Sequence, residues 1–186
     1  MSTVETKPIT AQEFLAMADL GPCELVRGKV VLMNPPGWRH GRIASRIFAL
    51  VDRFLEDNDI GRAVTNDSGV VTERDPDTVR GADVMYHSYQ RLPADVEPDD
   101  YPEVPPEIIW EVLSPGDRRQ KVLAKIAEYL EAGVLVVCVV DPKRQCLVTY
   151  YPDRPEETMG LGEVWRAAEI LSGFEMPVER VFGKGR

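Results

Sequence analysis

Apolar and polar positions change their period several times along this chain, and each change marks an element. From Trp38 to Glu56 the apolar residues Ile43, Ile47, Leu50, Val51, Phe54 and Leu55 recur three or four positions apart. That spacing predicts a long amphipathic helix, with Arg39, Arg42, Arg46 and Arg53 on its polar side. Upstream, Thr10-Ala-Gln-Glu13 has the form of a capping box and opens a short helix from Ala11 to Met17. Cys23 to Met33 reads as a hairpin that turns at Arg27-Gly28. Arg62 to Thr65 and Gly69 to Thr72 read as two short strands, and Val79 to Tyr86 as a longer one with an acid, Asp83, inside it. Arg91 to Pro106, rich in proline and carboxylates, reads as an exposed connector.

The strongest signal follows. Ile108 to Leu113 is an almost unbroken apolar run, which predicts a strand buried on both faces. Glu111 interrupts it. Side chains alternate along a strand, so Glu111 shares a face with Ile109 and Leu113, while Ile108, Trp110 and Val112 take the other. A buried carboxylate without a partner costs several kcal/mol, so Glu111 needs a metal ion or a lysine. Ser114-Pro-Gly-Asp117 stops the strand, and Asp117 suits the N-cap of a helix running to about Ala132. On that helix Val122, Leu123, Ile126, Ala127 and Leu130 form the apolar face. Lys121, Lys125 and Glu128 oppose it, with Lys125 and Tyr129 at the border, and Gly133 ends the helix. Val134 to Val140 is a further buried strand, paired with Cys146 to Tyr151 across the Lys143-Arg-Gln turn. Short strands around Leu171 to Phe174 complete the tail. The fold class is α/β, a mixed β-sheet core flanked by helices, in one domain over residues 1–186 with a loose segment at 1–9.

Composition narrows the function. A net charge of −9 argues against a protein that coats nucleic acid generally, although a local basic patch remains compatible with it. Arg39, Arg42, Arg46, Arg118 and Arg119 are candidates for such a rim. Cys23, Cys138 and Cys146 are odd in number and fit no common zinc spacing, so they read as reduced thiols. With neither a signal sequence nor an apolar run long enough to span a bilayer, the expected location is cytoplasmic, away from membranes.

Four residues carry candidate chemistry: Glu24 in the hairpin, Asp83 and Glu111 in apolar strands, and Lys125 on the helix. Carboxylates converging from neighbouring strands suit a hard divalent cation such as Mg²⁺, or Mn²⁺ in its place. With an ammonium beside them, they can support metal-assisted phosphodiester hydrolysis. The residues alone also allow a structural Glu111–Lys125 ion pair and an Asp83 that merely caps a turn.

The order of motifs carries a resemblance. Glu24-Leu-Val-Arg-Gly-Lys-Val, His40-Gly, Arg80-Gly-Ala-Asp83-Val, Glu111-Val-Leu-Ser-Pro, Lys125-Ile-Ala-Glu-Tyr129-Leu-Glu-Ala-Gly133-Val and Val140-Asp-Pro142 resemble the "putative restriction endonuclease" family, also called Uma-two. That family belongs to the PD-(D/E)XK nuclease superfamily. The resemblance runs from about Thr10 to Phe182 and implies a restriction-endonuclease-like fold. It implies an Mg²⁺-dependent DNA endonuclease with Asp83 and Glu111 as metal ligands, Glu24 as a further site acid, and Lys125 as the catalytic lysine displaced onto a helix. The superfamily pattern places its lysine where this chain has Leu113, and the family usually has proline where this chain has Ala82. His40, Arg39, Arg42 and Arg118 become candidates for contact with DNA, and a homo-oligomer, preferably a dimer, is expected. The alternative is a non-catalytic oligomeric binding or accessory module that retains the nuclease fold.

Overall fold

Residues 7–17 and 20–183 are described by the computed structural model. α1 (Ala11–Leu15) opens with the capping box: the Glu13 amide donates to Thr10 Oγ1 at 3.1 Å, and the Thr10 amide donates to Glu13 Oε2 at 2.8 Å. β1 (Cys23–Val26) and β2 (Lys29–Leu32) form the hairpin. Its two turn residues, Arg27 and Gly28, have φ of 48° and 69°, the left-handed pair that a tight hairpin needs. α2 (Trp38–Asp57) is the long amphipathic helix. β3 (Gly61–Glu73), β4 (Thr78–Ser88), β5 (Ile108–Val112), α3 (Arg119–Glu131), β6 (Val136–Asp141), β7 (Cys146–Tyr150) and β8 (Glu157–Met159) follow. The chain then adds a two-stranded ribbon of β9 (Val164–Trp165) and β10 (Met176–Pro177), and the short α4 (Val178–Val181). Among the described residues no helix is long and apolar enough to cross a membrane.

The main sheet runs β2-β1-β4-β5-β6-β7-β8, with β3 on the other edge of β4. β5 and β6 are parallel, joined by the α3 crossover, and the remaining pairs are antiparallel. This mixed sheet is buried on two faces, as the apolar run of β5 requires. Ile108, Trp110 and Val112 pack with α2 and the tail, whereas Ile109 packs with Ile126 and Tyr129 of α3.

β4 has a divided edge. β3 pairs with it from Gly61↔Ser88 to Glu73↔Thr78, but its opposite edge is shared by two strands. β1 meets that edge at Leu25↔Val79 and β5 joins it at Val84↔Trp110, so Arg80 to Asp83 face a gap between them.

Four expectations need correction. The stretch after α2 is one strand, β3, with a bulge between Thr65 and Ser68; β4 is long enough to keep the ladder going on both sides. Asp117 is not the cap of α3. Arg118 holds that position without a side-chain bond, because Asp117 Oδ2 is taken by the Ser114 amide at 2.7 Å, closing the preceding turn. α3 is also rotated from its hydrophobic reading: Ile126 and Tyr129 are buried, while Leu123 and Ala127 are exposed. Finally, Leu171 to Phe174 is a turn, and the ribbon forms on either side of it. Residues 1–6 of the N-terminal segment lie outside the described residues, and the Ile9 amide donates to the Gly28 carbonyl at 2.9 Å.

The tail covers the α2 face. Trp165 is fully buried, tilted on Trp110 at 5.4 Å between ring centroids, and its Nε1 donates to Thr149 Oγ1 at 2.9 Å. Removing that ring leaves a cavity and an unpartnered hydroxyl, so Trp165→Ala should lose about 3–5 kcal/mol in urea unfolding. A loss below about 1 kcal/mol would mean the tail adds little to the core.

Candidate active site

The gap along β4 is where the polar residues collect. With no strand beside Gly81 on this edge, side chains take up its backbone groups: its amide donates to Glu24 Oε1 at 3.2 Å, and its carbonyl accepts from Lys125 Nζ at 2.8 Å and Tyr129 Oη at 3.1 Å. The β4–β5 ladder ends in a similar way. Asp83 Oδ2 accepts from the Val112 amide at 2.6 Å, filling the place of a strand partner.

Lys125 reaches this gap from α3. Its Nζ lies 3.0 Å from Glu111 Oε2 and 3.2 Å from Glu24 Oε1, so one ammonium joins acids from β5 and β1. Tyr129, one turn later, shares its single O–H between the Gly81 carbonyl and Glu111 Oε1, the latter at 2.8 Å. Arg80 crosses in front: it meets Glu24 Oε2 at 2.7 Å and holds Glu128 of α3 through two bonds, at 2.6 and 2.9 Å. From α2, His40 Nε2 approaches Asp83 Oδ2 at 3.1 Å. Glu24, Arg80, Asp83, Glu111, Lys125 and His40 line a cleft of about 980 Å³ that also takes in Asp67 and Arg118.

The family model described as "Putative restriction endonuclease", Uma2, matches residues 11–179. The chain belongs to the Uma2 family. Its fold is similar to that of a crystal structure described as a "putative nuclease belonging to DUF820" from Anabaena variabilis ATCC 29413. The TM-score is 0.80 and the identity 22%, over 94% of this chain and 98% of the other. No curated protein matches the chain.

In this Uma2 chain, Glu24, Asp83, Glu111, Lys125 and His40 are brought to one cleft. Of the candidate DNA-contact arginines Arg39, Arg42 and Arg118, one reaches the cleft. Arg39 donates to the Pro142 carbonyl, and Arg42 lies over the Trp38 ring at 5.2 Å; neither lines the cleft, whereas Arg118 does. Three residues of the site escaped the sequence reading. The helical period puts Tyr129 only at the border of the apolar face, although its position one turn after Lys125 is a usable signal. Arg80 was seen only as part of a motif. Asp67 sat between two supposed strands, where an Asn-Asp pair looks like an ordinary turn.

Burial sets the electrostatics. It raises the Glu111 carboxyl, as does the charge of Asp83; Lys125 and Tyr129 offset this only in part, leaving a pKa of about 7. Burial also opposes the Lys125 ammonium, but Glu111 and Glu24 outweigh it and hold the pKa above the usual lysine value. For Glu24, burial raises the pKa, yet Lys125 and Arg80 prevail and the net shift is downward. His40 is disfavoured as a cation by burial, but Asp83, Asp67 and Glu111 together favour it more strongly, so its pKa is raised.

A carboxyl whose pKa is higher folded than unfolded stabilises the fold while protonated, and that contribution is lost as pH rises through the folded value. For Glu111, raised from 4.5 to about 7, the loss falls between those limits and is on the order of 3 kcal/mol. The raised His40 acts with the same sign. Metal-free protein should therefore lose stability to urea between pH 5 and pH 8, and Glu111→Gln should flatten most of that slope. A wild-type profile flat across this range would remove the raised Glu111 from the account.

Proposed function

We propose that this Uma2 protein is a metal-dependent DNA endonuclease, with Asp83 and Glu111 holding Mg²⁺ or Mn²⁺. The observation that carries the reading is the convergence of acids from β1, β4 and β5 on one lysine in an open cleft, within a chain of this family. The donor set suits the ion, since hard divalent cations prefer carboxylate oxygens. His40, whose buried Nδ1 has no hydrogen-bond partner, points to a polar site whose bonding is incomplete. Among the described residues no three His, Cys, Asp or Glu side chains form a ready cage. Mg²⁺ does not require one: it commonly binds one or two carboxylates, with water and substrate phosphate completing its shell.

When bound, such an ion would neutralise phosphate charge and lower the pKa of a water molecule. The chain's own groups supply the rest. Lys125, anchored by the Gly81 carbonyl and by Glu24, offers a fixed positive charge beside the Glu111 carboxylate, where it can orient the attacking water or balance charge developing on the phosphate. Glu24 acts through Lys125 and Arg80 as a positioning acid. Arg118 at the rim can meet the DNA backbone, and the protonated His40 adds positive charge beside Asp83.

One observation favours the alternative, a non-catalytic module: Glu24 and Glu111 already have protein donors on both oxygens. Supercoiled plasmid with Mg²⁺ separates the readings. The endonuclease should nick or linearise it, and excess EDTA should abolish cleavage. Lys125→Met, kept only if it folds by circular dichroism, should lose about 100-fold or more, comparable to losing one transition-state donor. The exposed Lys121→Met should keep nearly full turnover. No cleavage by well-folded wild type over a range of DNA substrates would favour the module.

The reading includes two copies acting together, one cleft for each strand of the duplex. Sedimentation at micromolar concentration should then give a dimer. A clean monomer, with and without DNA, would remove that part.

A further inference from the structure

Asp67 has no part in the reading above, yet the sheet is deformed to put it in the cleft. Thr65 pairs with Val84 and Ser68 with Ala82, so Asn66 and Asp67 together stand opposite Asp83 alone. Both adopt left-handed backbone, with φ of 74° and 52°, which Asn and Asp tolerate better than most residues. The bulge is pinned from two sides. Ser68 Oγ donates to the Thr65 carbonyl at 2.7 Å, and Thr65 Oγ1 donates to the Asp83 carbonyl at 2.8 Å. It also comes so close to β4 that a Cβ on Gly81 would lie 3.0 Å from the Asp67 carbonyl oxygen, so a glycine suits that contact. Bulges beside active sites commonly re-aim a side chain, and here the re-aimed group is a second carboxylate next to Asp83.

Both nearby cations already have partners of their own. Lys125 Nζ is bonded to Glu24, Glu111 and the Gly81 carbonyl, and His40 is bonded to Asp83.

We propose that Asp67 is an oxygen ligand of the site's divalent cation, gripping it jointly with Asp83 across the β3–β4 ladder. This rests on the metal-dependent reading above. Glu111, tied to Lys125 and Tyr129, then holds the catalytic lysine as well as facing the ion.

Calorimetric titration of the full chain with Mn²⁺, without DNA, tests the assignment. Asp67→Asn keeps the left-handed backbone and removes the charge. It should weaken Mn²⁺ binding at least tenfold, while the metal-free variant melts no lower than wild type because a like charge beside Asp83 is gone. Should Asn fail to fold, Asp67→Gly, which accepts the same backbone, carries the comparison. Mn²⁺ affinity unchanged from wild type in the variant overturns the role of Asp67 and leaves the metal-dependent reading standing. A wild-type chain that takes up no Mn²⁺ overturns that reading and this inference with it.

Discussion

One ammonium holds the centre of this fold. Lys125 Nζ lies within 3.2 Å of oxygens from Glu24, Glu111 and Gly81, which belong to three different strands. Two largely buried carboxylates in a gap of the sheet would be strongly unfavourable alone, because burial removes their hydration without a replacement. The lysine supplies it, and so fixes where α3 must lie and which side of α3 must face inward. Arg80 reinforces the arrangement by joining Glu24 on β1 to Glu128 on α3.

The divided edge of β4 makes this arrangement possible. A strand paired along its whole length would spend the backbone groups of Gly81 in a ladder. Here β1 and β5 part, and side chains complete the bonding that a neighbouring strand would otherwise provide. The same parting leaves an open cleft lined by backbone and carboxylates on a rigid sheet. Few loops need ordering for the acids to converge. Rigidity of this kind suits a site in which small displacements weaken catalysis.

The bonding leaves an imbalance of charge, and the imbalance is informative. Glu111 keeps a raised pKa despite its bonds to Lys125 and Tyr129, because burial and the nearby Asp83 oppose its charge. A purely structural ion pair has no need of an additional acid at that distance. Sites that perform chemistry often retain such unfavourable charge, which the rest of the core offsets. Here the offset comes from the α2 face, where Trp110, Trp165 and the tail bury a large apolar surface away from the polar cleft.

Much of this was legible along the chain, because β5 must alternate whatever surrounds it. Its run of apolar residues identified a doubly covered strand, and the single acid within it identified the polar face. The 3.6-residue period of α2, the Thr10 capping box and the Arg27-Gly28 turn are likewise local, and local physics determined them. The order of acids and lysine, with the motifs around them, was enough to point to the family. The rotation of α3 was a tertiary decision: bonds from Lys125 and Tyr129 to Glu111 and Gly81 outweigh the burial of Leu123 and Ala127. Asp67 joined the cleft because β3 and β4 pair on both sides of a two-residue excess, a count that neither segment contains by itself. Arg39 and Arg42 lie outside the cleft, against the Pro142 carbonyl and the Trp38 ring, placements that the helical period does not reveal. Periodicity tells which face of an element is apolar, but the partner of a buried charge is set by whichever element packs across from it.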